Sequence, residues 1–79
     1  LAGQLALHRV ATGRIDAAIV QLEKAYRLRP EAEIAAHLGE ALWQGGRAAD
    51  AQRVWREAAA REPGNKTLND TLARFKITR

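Results

Sequence analysis

The sequence predicts an all-α fold, with two helix-turn-helix units in tandem and a last helix closing the stack. Three observations carry this. The chain matches itself at an offset of 33 residues: Ala2 with Ala35, Leu5 with Leu38, Gly13 with Gly46, Arg14 with Arg47, Ala18 with Ala51, Ala25 with Ala58, Pro30 with Pro63. Its apolar residues recur at helical spacing, with glycine or proline at each break. Its core must be built from Leu, Ile, Val and much Ala, because only Tyr26, Trp43, Trp55 and Phe75 are aromatic. Small side chains pack densely only where helices approach closely.

The matched halves divide the chain into residues 1–30, residues 31–64 and a closing helix over 65–79. In the first unit, one helix is expected from Leu1 to Ala11, with Leu1, Leu5 and Val10 along a stripe. Thr12-Gly13-Arg14 reads as the turn, with Gly13 suited to a left-handed cap. The second helix of that unit carries Ile15, Ala18, Ile19, Leu22, Ala25 and Tyr26 on one face. Asp16 would lie in its first turn and Arg27 and Arg29 near its end, as the helix dipole favours. Pro30 forbids continuation.

The second unit follows the same plan. Ile34, Leu38 and Leu42 form the first stripe, and Gly45-Gly46 the turn. Ala51, Val54, Trp55, Ala58 and Ala59 form the second face, which Pro63-Gly64 ends. A fifth helix is expected from about Asn65, a good N-cap, to Lys76. Leu68, Leu72 and Phe75 would face the core, while Lys66, Asn69, Asp70, Arg74 and Lys76 are polar. A polar-backed last helix seals the open end of a solenoid.

This pattern resembles the tetratricopeptide repeat. The first unit supplies Leu5-Ala6, Gly13, Ala18, Leu22, Ala25 and Pro30; the second supplies Leu38-Gly39, Gly46, Ala51, Trp55, Ala58 and Pro63. Arg9 stands where a large apolar residue is usual, and Ala35 where Trp is common. The resemblance implies a right-handed solenoid that binds a protein or peptide along a concave groove lined by the first helix of each unit. The corresponding positions are Gly3, Gln4, Leu7, Val10 and Ala11, then Glu33, Ala36, His37, Glu40, Trp43 and Gln44. Of these, Gln4, Leu7, Val10, Ala36, His37, Glu40, Trp43 and Gln44 are the groove candidates. The Lys-Asn-Arg clamp with which some members hold a terminal carboxylate is missing. The stretches from Leu28 to Trp43 and from Val54 to Ala58 look like C-terminal repeats of long bacterial proteins of this family. That implies a bacterial parent, periplasmic or outer-membrane-associated, with a cytoplasmic one still open.

The local physics is legible beside the resemblance. Gly39 and Ala6, with Ala18 and Ala51, are small where paired helices would cross, and Trp55 and Leu22 fill the space between units. Trp43 falls off the Ile34-Leu38-Leu42 stripe. It is either an exposed anchor for a peptide or a side chain packed on the next helix. His37 and Glu40 lie three apart on one face; two such groups make a surface pair more readily than a metal site.

Composition excludes several chemistries. Cys is absent, so disulfides, thiol nucleophiles and Cys-zinc sites are out. Ser is absent, and with it serine-hydrolase chemistry. No motif of an enzyme or a cofactor site is present, so neither catalysis nor a cofactor or metal is expected. The chain lacks an initial Met and opens inside an apolar pattern, which predicts a segment of a longer protein with upstream repeats. An open first unit then predicts homodimer formation through the N-terminal end. Net charge is +4 with a pI near 10.4. Arg53, Glu57 and Arg61 have spacings for local ion pairs, and aromatic interleaving for base stacking is missing. A basic surface for an acidic or nucleic-acid partner is one alternative to peptide binding, though nucleic acid is not the expected partner. A structural cap with no ligand of its own is another. No direct membrane contact is expected.

Overall fold

The computed structural model describes the backbone of residues 2–77 and the side chains of residues 13–77. These residues hold four helices: α1 (Ala2–Leu28), α2 (Ala32–Gln44), α3 (Ala48–Arg61) and α4 (Lys66–Arg74). The class is therefore all-α, as the periodicity predicts. α2 is the hub, packed against each of the other three helices, and α3 also touches α4.

The first unit differs from expectation. No turn occurs at Thr12-Gly13-Arg14, and one continuous helix runs through it. Gly13 keeps a right-handed conformation, and Asp16 lies mid-helix rather than in a first turn. The contrast with Gly45-Gly46 gives the reason. At the end of α2, Gly46 takes φ +80°. Its N–H bonds the Trp43 carbonyl at 3.1 Å, and the Arg47 N–H bonds that of Leu42 at 2.8 Å. This is the paired-bond stop in which glycine occupies the left-handed position. Neighbouring contacts hold the return of the chain there. A Cβ at Gly45 would lie 3.3 Å from the side chains of Ile15 and Ile19, whereas one at Gly13 would meet nothing within 4 Å. A lone glycine costs a helix only about 1 kcal/mol relative to Ala. With no proline before Pro30 and no contact to reward a turn, the helix continues. Ala18 accordingly does not sit at the crossing of a helical hairpin within its own unit.

The second unit and the last helix follow the sequence pattern closely. Ala51, Val54, Trp55, Ala58 and Ala59 are the buried residues of α3. In α2, Leu38 and Leu42 are buried together with Ala32, Ala35, Ala36, Gly39 and Ala41. The Asn65 side chain accepts the Leu68 N–H at 2.9 Å, as an N-cap should. Leu68, Leu72 and the half-buried Phe75 face the core. The one buried polar side chain among the described residues, Thr71, donates to the Thr67 carbonyl at 2.9 Å. α4 ends on Lys76 at φ 56°, with Lys76 N–H to Ala73 and Ile77 N–H to Leu72, a stop like that of α2 without the glycine.

The centre of the core is Trp55, 0% exposed. Its indole lies over Gly39 so closely that a Cβ there would sit 1.9 Å from Nε1. Nε1 donates to the Ala36 carbonyl at 3.3 Å. Rings of Trp43 and Phe75 flank it, with centroids 6.0 and 5.1 Å away. Ile19 of α1 is buried against this core, and Ile15, Leu22 and Tyr26 pack on it in part.

Two glycine substitutions test this account. Gly13→Ala should raise helicity and stabilise the chain by about 0.5–1 kcal/mol, since Ala suits a helix interior; a loss in thermal unfolding would instead place a left-handed turn there. Gly39→Ala should destabilise by about 1–3 kcal/mol, because the new methyl collides with the indole. An unchanged melting temperature would mean that Trp55 is not seated over Gly39.

Candidate functional site

The predicted groove residues are divided by the structure. The side chains of Gln4, Leu7 and Val10, with those of Gly3 and Ala11, lie outside the described residues. Ala36 is 1% exposed, with its carbonyl occupied by Trp55, so its side chain belongs to the core and not to a binding surface. Trp43 is half-buried. Its ring lies at 24° to that of Trp55 and 5.2 Å from that of Phe75. Of its two readings, packing against the end of α4 is the one observed. Such aromatic contacts contribute about 0.5–1.5 kcal/mol beyond burial.

His37, Glu40 and Gln44 remain on the surface. They recur at intervals of three and four, so the helix aligns them along one side of α2. Glu40 is the centre of this row. One carboxylate oxygen lies 3.8 Å from His37 Nδ1, a charge contact when the imidazole is protonated. The other oxygen accepts from the Arg74 guanidinium of α4. The exposed side of α2 is thereby tied to α4, through a residue that sequence spacing did not connect to it. Glu33 is exposed in the first turn of α2.

A second polar arrangement went unseen in the sequence. Glu31 occupies the N-cap of α2 but makes no side-chain cap bond. The Ala32 N–H donates instead to Glu62 Oε2 at 2.7 Å, from the C-terminal cap position of α3. The acid thus supplies an acceptor and a negative charge to a helix N-terminus. Thirty residues separate the pair, so no local cap rule could find it.

The basic residues are mostly engaged locally. Asp50 takes Arg47 at 3.0 Å and Arg53 at 3.3 Å. Arg56 donates to Gln52, Arg29 to Glu31, and Lys66 to Asp70. Arg61 donates to the Tyr26 hydroxyl and lies 5.4 Å from its ring centre. The expected Arg53–Glu57 and Glu57–Arg61 pairs are not formed, because Asp50 and Tyr26 take those cations. Two open depressions complete the surface. One of about 460 Å³ is mainly apolar, along Arg56, Ala59, Ala60 and Pro63. One of about 490 Å³ lies between α1 and α3, walled by Glu23, Arg27, Arg53 and Glu57 over Leu38. Among the described residues no three His, Asp or Glu side chains converge on a point, and no helix is long and apolar enough to cross a membrane.

No family model, curated protein or solved structure matches the chain.

Glu62→Ala should destabilise the chain by about 1 kcal/mol through the lost cap. Amide exchange should speed up first at Ala32 and its neighbours. Equal acceleration along all four helices would assign Glu62 a different role.

Proposed function

We propose that the chain is a tetratricopeptide-type interaction module, a right-handed solenoid segment that binds a protein or peptide and performs no chemistry of its own. The single observation carrying this reading is the surface row of His37, Glu40 and Gln44 joined to Arg74. In this reading α2 is the first helix of the second unit, and α4, by its order in the chain, corresponds to the first helix of a following unit. In the repeat family these helices line the ligand groove. The row is polar and held in place by the Glu40–Arg74 pair, so a ligand meets donors and acceptors that are already ordered. Pre-ordering lowers the entropic cost of binding. Trp43 packs on Trp55 and Phe75 and in this reading does not contact the ligand.

A second reading is favoured by α4. Its outward Lys66, Asp70 and Arg74 are exposed and charged, which suits a terminal cap that only closes a solenoid. The basic-surface reading gains less support, since most described arginines already face an acid, an amide or a hydroxyl within the chain.

The test is selection of a peptide on the immobilised chain, followed by NMR titration with that peptide. Shifts should centre on His37, Glu40, Gln44 and Arg74, and Glu40→Ala should weaken binding by about 1 kcal/mol or more. Shifts centred on Arg47, Arg53 and Arg56, with affinity falling steeply in salt, would favour the basic surface instead. Failure to select any peptide would favour the cap.

A further inference from the structure

We infer that α1 pairs with α1 of a second copy of this chain, each donating its first half to cover the other's second half. The inference begins with a comparison inside the molecule. Ala51 and Trp55 of α3 are 0% exposed and Ala58 is 1% exposed. Their counterparts 33 residues earlier, Ala18, Leu22 and Ala25, are only half-buried. At Trp55 the cover is α2, through Gly39 and Ala36. On α1 this face meets α2 through Ile15, Ile19, Leu22 and Tyr26, and among the described residues no second helix covers the side that bears Ala18 and Ala25.

The sequence that would supply it is present. Residues 2–12 align with residues 35–45, with Ala2 and Leu5 identical to Ala35 and Leu38, and with Arg9 in the place of Leu42. The key contact is also volume-matched. Gly39 faces the large Trp55, and at the corresponding pair the sequence has Ala6 and the smaller Leu22. A methyl added on one side accompanies a ring removed on the other.

Within one chain this contact cannot form. α1 is a single helix from Ala2 to Leu28, so its two halves are collinear. Residues 6 and 18 lie roughly 18 Å apart along the axis. An antiparallel second α1, centred close to Gly13, brings residues 2–12 of each copy onto residues 15–28 of the other. This repeats the antiparallel α2–α3 contact twice, without the turn. It is a closed two-fold arrangement with an exchanged element, and it gives Gly13 a place where nothing need fold back. The occupant is a second copy, not an unspecified partner, because the covering sequence lies in this chain.

The experiment uses the absence of cysteine from the sequence. Ala6→Cys and Ala18→Cys are prepared as separate full-length chains, mixed in equal amounts, unfolded and refolded together. They are then treated with a bismaleimide whose span is shorter than the separation of the two positions along α1. A covalent product joining one chain of each kind is expected, and sedimentation of the unmodified chain should approach twice 8.7 kDa with rising concentration. Tryptophan fluorescence of Trp43 and Trp55 reports that the core has folded in each variant. A folded mixture with no joined product overturns the inference. So does bridging within one chain when both substitutions are placed together, since that requires a turn at Gly13.

Discussion

The seat of Trp55 over Gly39 is the contact on which the rest of this structure depends. An indole is large, and it is fully enclosed here only because one helix surface lacks a Cβ where the ring lies. The hydrogen bond from Nε1 to the Ala36 carbonyl then satisfies the single polar atom of the ring. From this seat the ring reaches Trp43 and Phe75. One side chain thus joins α2, α3 and the end of α4 in a single packed unit, in a chain otherwise dependent on alanine.

α1 stands in a different relation to that unit. It docks through Ile15, Ile19, Leu22 and Tyr26 on α2, with a polar strut from Tyr26 to Arg61 of α3. Exposed Val20 and Leu28 show how little of its circumference this docking uses. A helix of 27 residues resting on one of 13 residues has surface left for other contacts. The surface row on α2 is independent of this, since Glu40 is fixed from the α4 side. The proposed ligand row on α2 and the proposed pairing along α1 therefore share no residue.

Much of this was legible in the sequence, for physical reasons that differ by element. The buried faces of α3 and α4 follow from spacing alone, because a helix with one neighbouring core must keep its apolar residues on one side. Asn65 was legible because an N-cap is a local bond. Gly13 suggests a turn where none forms, because glycine marks both turns and mere weak points of helices, and only a tertiary contact decides between them. Trp43 admits two readings from the sequence because its partner, Phe75, lies beyond any local window. The position of Ala36 in the repeat pattern points to a binding surface, whereas the size of Trp55 draws it into the core. The Glu40–Arg74 and Glu62–Ala32 contacts were invisible, since each joins residues separated by thirty or more positions.

The bond between Glu62 and the Ala32 amide has a further consequence. The α2–α3 pair is closed at one end by Gly45-Gly46 and at the other by this carboxylate, so it forms a ring with no loose end. An open helical hairpin frays from its free termini, each turn detaching with little penalty. A hairpin fastened at both ends must break a fastening before either helix can unwind. The two helices therefore behave as one cooperative block, and loss of structure in the molecule begins outside it.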